Sequence, residues 1–278
     1  MRFLDKREKI VLTYRYMKKK LTIAILTVAI LASVCFVFTA CGAEPEVKYD
    51  YLSFSLVDGK LSVKVKSVAG MPVNLVIPSE YYADDDNSHS NKIAVASVAD
   101  GGFENCDKLV SVTLPELDGD SFKSIGKNAF AGCLSLSSIN LAGAENIGEG
   151  AFKNCKGLKS VSLSSGLTKL SKDVFSGCSS LTAVSGGSIN EIGDNAFKSC
   201  LLLKDFSLNI SSLTSVGSNV FFFTGGISNI KLPSTCTYVG AYAFCGWTKY
   251  QKIEYSNASG FDPLWAADCD AVFDPKLS

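Results

Sequence analysis

A phenylalanine recurs through this chain at near-regular intervals: Phe103, Phe130, Phe152, Phe175, Phe197, Phe221 and Phe244, spaced 27, 22, 23, 22, 24 and 23 residues apart. Other positions repeat with it. Five residues before each anchor stands an aliphatic residue: Val98, Ile125, Ile147, Leu170, Ile192, Val216, Val239. Three after it stands a cysteine in the first five copies: Cys106, Cys133, Cys155, Cys178, Cys200. Six after come Leu109, Leu136, Leu158, Leu181, Leu203, Ile227 and Tyr250. Nine after come Val112, Ile139, Val161, Val184, Phe206, Ile230 and Ile253. A period in the low twenties with apolar residues at fixed offsets specifies a repeat solenoid, because one unit cannot bury its apolar side alone and stacked units can.

Each unit reads as a turn or short helical piece around the Phe and Cys anchors, then a short strand such as residues 109–114 (LVSVTL). Apolar residues at offsets six, nine and eleven face inward. Those at eight and ten face outward, because side chains alternate along a strand. The outward row is Ser111, Thr113, Ser138, Asn140, Ser160, Ser162, Ala183, Ser185, Asp205, Ser207, Asn229, Lys231, Lys252 and Glu254. The expected fold is about seven units of 22–27 residues carrying a one-sided parallel β-sheet. At about 4.8 Å per strand such a sheet spans roughly 30 Å. Three departures stand out. Residues 116–121 are an insertion that should bulge as a loop. Gly186-Gly187 should shorten or kink its strand. Thr224 replaces the cysteine of the sixth unit, beside a triple Phe221-Phe222-Phe223 that should crowd its corner.

Ahead of the repeats, residues 51–57 (YLSFSLV) and 61–68 (LSVKVKSV) alternate around Asp58-Gly59, a hairpin signal, and 73–78 (VNLVIP) reads as another strand. A solenoid end exposes an apolar face and a bare sheet edge, so this segment is expected to cap it. The expected division is a signal segment 1–41, a tether 42–49, an N-terminal β cap 50–92, the solenoid 93–255 and a C-terminal cap 256–278. Asp84, Asp86 and Ser88 have the alternate spacing of a calcium loop but lack its glycine and distal glutamate. A solvated acidic loop is the better reading.

The N-terminus reads as an export signal. MKKK (17–20) precedes an uncharged apolar run over 21–37, and Phe38-Thr39-Ala40-Cys41 follows. Met17 is the better start, since the signal is complete without the residues before it. The ending resembles a bacterial lipobox, which implies lipidation of Cys41 and a membrane-anchored body. An uncleaved span is the alternative. Either reading puts the body outside the cytoplasm. The first 40 residues hold eight basic and two acidic side chains, which leaves 19 Lys, no Arg and 25 acidic residues beyond. An acidic, arginine-free body argues against nucleic acid as a partner.

SIGKNAFAGCLSLSSINL, NIGEGAFKNCKGLKSVSL and EIGDNAFKSCLLLKDFSL resemble units of the BspA-like, treponemal-type leucine-rich repeat family. The closing AYAFCGWTKYQKIEY, the stretch 261–273 (FDPLWAADCDAVF) and the entry VNLVIPSEY are similar to that family's ends. The resemblance implies an exported or cell-surface protein, and some members act as adhesins for host proteins.

A catalytic role is not expected. The sole histidine, His89, lies in the acidic loop, and no ladder cysteine has a histidine at a matching offset. Cysteines 22 to 27 residues apart do not form the paired knuckles of a structural zinc site. They read as small buried hydrophobes. Equivalent corners of successive coils point their side chains in parallel at about 4.8 Å, which misses disulfide geometry, so free thiols are expected. A bridge among Cys236, Cys245 and Cys269 stays open. No cofactor is expected. The expected partner is an extracellular protein or glycan docked on the outward row, and the alternative is a scaffold without a specific ligand.

Overall fold

The computed structural model describes residues 49–82, 92–115, 122–141, 143–256 and 258–275. Among them the regular structure is all β, wound as a right-through stack of short parallel rungs joined by turns. The chain enters through a hairpin, β1 (Leu52–Val57) and β2 (Lys60–Val65), whose turn residues Asp58 and Gly59 both take positive φ (48° and 76°). Positive φ at both turn positions gives the primed geometry that matches strand twist. Then come β3 (Asn74–Val76), β4 (Glu80–Tyr82) and β5 (Lys92–Val98). Tyr49, read from the sequence as the last tether residue, packs with Tyr51 and Tyr81 at 6.2 Å between ring centroids.

The strand ladder expected over offsets six to eleven is present but shorter, confined to offsets eight to eleven. β3 pairs in parallel with Ser111–Thr113, which pairs with Ser138–Ile139. Ser160–Leu163, Ala183–Gly186 and Asp205–Leu208 continue it, reached by a bridge from Leu141 to Leu163. Beyond a break in the pairing, Asn229–Lys231, Lys252–Tyr255 and Val272–Pro275 form a further parallel segment. Equivalent residues lie opposite one another: Val112 with Ile139, Val161 with Val184, Ile230 with Ile253.

The sheet is not confined to that side. A second parallel ladder runs from β2 and β5 through Ser124–Ile125 to Asn146–Ile147, and again from Lys169–Leu170 through Glu191–Ile192 and Ser215–Val216 to Tyr238–Val239. Its inward residues are the aliphatic positions five before each anchor, so a coil presents two flat sides with the core between them. The sequence hid it because each of these rungs past β5 is two residues long, too short for a period-2 pattern.

The core is a column. All seven Phe anchors are fully buried, and their rings stack with centroids 5.4–5.9 Å apart and planes within 16°. These are offset-parallel contacts inside the favourable range for aromatic pairs. Trp265 closes the column edge-on to Phe244 at 5.9 Å.

Two residues on either side of each anchor the backbone turns left-handed. Before it stand Gly101, Asn128, Gly150, Asp173, Asn195, Asn219 and Tyr242; after it stand Asn105, Gly132, Asn154, Gly177, Ser199, Phe223 and Gly246. Asn, Asp and Gly are the residues that tolerate this region. In the second column Asn and Gly alternate for a steric reason. A Cβ on Gly132 would lie 2.3 Å from the Asn105 Oδ1, and one on Gly177 equally close to that of Asn154.

Two sequence expectations are corrected and a third is met in part. The strand at Gly186 is not shortened, spanning four residues like its neighbours, but positive φ at Gly186, its last residue, and at Gly187 kinks the chain there. The triple Phe does not crowd the core: Phe221 enters it, whereas Phe223 turns left-handed and stays about half exposed. Tyr250, read as the inward residue of the last unit, is 80% exposed, and Gln251 is buried next to it. The Gln251 amide nitrogen donates to the carbonyls of Thr224 and Ile227, and its oxygen accepts from the Thr248 N–H, an arrangement tyrosine could not supply. The insertion 116–121 lies outside the described residues.

Candidate functional surfaces

The outward row of the first ladder stands at the surface. Thr113, Ser138, Asn140, Ser160, Ser162, Asp205, Ser207, Asn229 and Lys231 are exposed, and Ser111 and Ser185 are half-buried. Parallel register sets these side chains in two files, one residue per rung. Some satisfy each other: the Ser111 hydroxyl donates to Asn74 Oδ1 at 2.8 Å, and that of Ser207 to Asp205. At the C-terminal end the row becomes ionic, with Lys252 Nζ 2.7 Å from Asp274 and 3.2 Å from Glu254.

The cysteine corner does more than fill space. Cys133, Cys155, Cys178 and Cys200 each donate Sγ–H to the carbonyl of the anchor one coil earlier (Phe103, Phe130, Phe152 and Phe175) at 3.1–3.2 Å. Where cysteine is replaced, the donor persists. Thr224 Oγ1 reaches the Phe197 carbonyl at 3.0 Å and Trp247 Nε1 reaches that of Phe221 at 3.2 Å. Three unlike side chains at one offset share only a donor hydrogen and a buried position, and that was the signal in the sequence. Burial pushes the Cys155 and Cys200 thiols up to about 12, eased by a backbone hydrogen bond; it holds Cys133 higher still and raises Cys178 well above the ordinary thiol value. Thiols so raised are protonated and unreactive at neutral pH. All eight described cysteines, including Cys236, Cys245 and Cys269, are free.

The second ladder carries a surface that sequence reading missed. Two adjoining shallow grooves of about 400 and 480 Å³ share Lys169 and Ser171; Ser124 and Asn146 line one, Glu191, Ser215 and Tyr238 the other. Ion pairs tie neighbouring coils along this flank, Lys127 to Glu149 at 3.3 Å and Lys169 to Glu191 at 2.8 Å. Exposed as they are, such pairs contribute little to stability. The available signal was the residue just before each aliphatic position, from Ser124 to Tyr238. A separate aromatic depression opens at Phe222, Phe223 and Tyr242.

Cys41 and the apolar run 21–37 lie outside the described residues, as do Asp84, Asp86 and Ser88. Among the described residues no helix is long and apolar enough to cross a membrane, and no group of three or more His, Cys, Asp or Glu could hold a metal ion.

The repeat profile described as the BspA type leucine rich repeat region matches residues 76–204 and 186–260, in six copies. The chain belongs to this family. A crystal structure of the T. pallidum leucine-rich repeat protein TpLRR is similar over 72% of this chain and 88% of its own, with 27% identity and a TM-score of 0.59. A leucine-rich repeat protein from Eubacterium ventriosum shares the fold over 70% of this chain and 50% of its own, with 22% identity and a TM-score of 0.52. No curated protein matches the chain in sequence. The family supports a role in protein interaction or as a surface scaffold, and its solenoid is typically non-enzymatic.

Proposed function

We propose that this is an exported, lipid-anchored surface protein that binds an extended extracellular protein or glycan, in the manner of an adhesin, through the outward row of its first ladder. The supporting observation is the run of exposed small polar side chains at Ser138, Asn140, Ser160 and Ser162, held on neighbouring rungs. Hydroxyls and amides repeating at strand spacing offer one donor–acceptor set per rung to a linear polymer, and a rigid sheet loses little entropy on binding. The anchor rests on Cys41 at the end of the export signal.

Replacing Ser138, Asn140 and Ser160 together by lysine should abolish binding to the matrix proteins or glycans the wild type retains, with an unchanged melting temperature. Full affinity in a folded variant would move the site elsewhere. Metabolic palmitate labelling should disappear in Cys41→Ala, and equal label in both proteins would end the anchor reading. The Ser111–Asn74 and Ser207–Asp205 hydrogen bonds favour a second reading, a scaffold whose face is already satisfied. No binding across both ligand classes would select it.

A further inference from the structure

The left-handed columns beside the anchors are filled by Gly, Asn, Asp and Ser in the first five coils, yet the last two place Phe223 (φ 52°) and Tyr242 (φ 57°) there. A bulky side chain in this region is strained. Neither is rewarded by burial: Phe223 is 52% and Tyr242 36% exposed. Strain held at an exposed aromatic position has no use in folding the coil, and such outliers collect at binding sites.

The surroundings describe the ligand. Phe223 lies over Gly246, where a Cβ would come within 2.4 Å of its ring, so the glycine gives the ring its seat. Phe222 meets Phe223 edge-on at 4.5 Å. With Tyr242 these rings wall an open depression of about 560 Å³ that also includes Asp268. The Asp268 carboxylate is exposed and has no cationic partner among the described residues. Lys198 places its ammonium 5.1 Å from the Phe222 ring centroid, so that ring already accepts a cation from within the chain. Aromatic faces beside an unpaired carboxylate are the chemistry that holds an alkylammonium group. The body beyond the signal, with 25 acidic residues to 19 Lys, draws a cationic partner toward it.

We infer that the corner formed by Phe222, Phe223, Tyr242 and Asp268 is a second binding site, which takes a lysine side chain of a partner protein. It is independent of the strand row, so the triple lysine variant there leaves it intact.

The test uses the full chain in nonionic detergent with two short glycine-flanked peptides, one carrying lysine and the other norleucine, titrated by calorimetry or NMR. The lysine peptide should bind about tenfold tighter than its neutral counterpart. Asp268→Asn should remove most of that preference. The Phe223→Asn, Tyr242→Asn double variant should lose lysine-peptide binding about tenfold or more while its melting temperature stays level or rises, because asparagine already fills both columns elsewhere. No binding at millimolar peptide, equal affinity for the two peptides, or undiminished binding by the folded double variant each overturns the assignment.

Discussion

The coils anchored at Phe130 and Phe152 and those anchored at Phe221 and Phe244 share one architecture and differ in what they spend it on. In the early pair every conformational demand is met by the residue best suited to it. Asn or Gly occupies each left-handed position, cysteine the donor corner, and leucine the inward sixth offset. In the late pair Phe and Tyr sit left-handed, Thr and Trp hold the donor corner, and Gln251 replaces an inward aliphatic side chain. Exposed large apolar residues follow the same division. Among the described residues of 98–190 only Val110 and Leu134 qualify, whereas 191–264 hold Leu201, Leu202, Phe223, Tyr238, Tyr242, Tyr250 and Leu264. A solenoid tolerates this because each coil contacts only its neighbours, so one end can depart from the consensus without disturbing the other.

The sharpest way to break the comparison is at the aromatic residues. Phe152→Ala removes a fully buried ring from the middle of the column and should cost about 3–5 kcal/mol. Phe223→Ala removes a ring that is half in solvent and should change stability by less than about 0.5 kcal/mol. Equal shifts in urea unfolding midpoints would show that the late coils are packed as tightly as the early ones.

Glycine separates the two regions next. Gly177→Ala forces a side chain into φ 75° and against Asn154, and should cost about 1–2 kcal/mol. Gly225 has open space where a Cβ would sit and no positive φ, so Gly225→Ala should be neutral or slightly stabilising in a thermal melt. A cost at Gly225 as large as at Gly177 would contradict the described corner.

The smallest effect tests the cysteine ladder. Its folded thiols titrate above the unfolded value of 9.0, Cys155 and Cys200 near 12. Between those limits the native state binds more protons than the unfolded one. The stabilisation is therefore fully present below about pH 9 and is lost as pH rises toward 12, by about 1.4 kcal/mol per pH unit for each thiol. Cys178→Thr copies the Thr224 arrangement, so it should melt within a few degrees of wild type at neutral pH and show a shallower alkaline decline. Denaturant unfolding at about pH 8 and about pH 10.5 measures both.

Much of the fold was legible because the repeat reports the same physical demand seven times. The Phe column, the inward aliphatic positions and the Asp58-Gly59 hairpin can be read from residue type and spacing alone. The second ladder could not be read so, because a two-residue rung leaves no periodicity. Nor could Gln251 in place of Tyr250, because the choice depends on which carbonyls the previous coil leaves unsatisfied. Of the candidate surfaces, the outward row follows from strand alternation, while the grooves and the aromatic corner depend on neighbours more than twenty residues away.

By itself the sequence determined that the chain is a solenoid, where its coils begin, and which residues face inward in every unit but the last, where Tyr250 was read in place of Gln251. These are properties of local pattern, set by hydrophobic period and by which residues tolerate which backbone angles. Only the tertiary structure decided that the cysteine corner is a ladder of donors to buried carbonyls, that Asn and Gly alternate because one coil's amide needs the space over the next coil's glycine, and that Phe223, Tyr242 and Asp268 meet. Each of those depends on the register between coils, and register is fixed by stacking, which no single repeat contains.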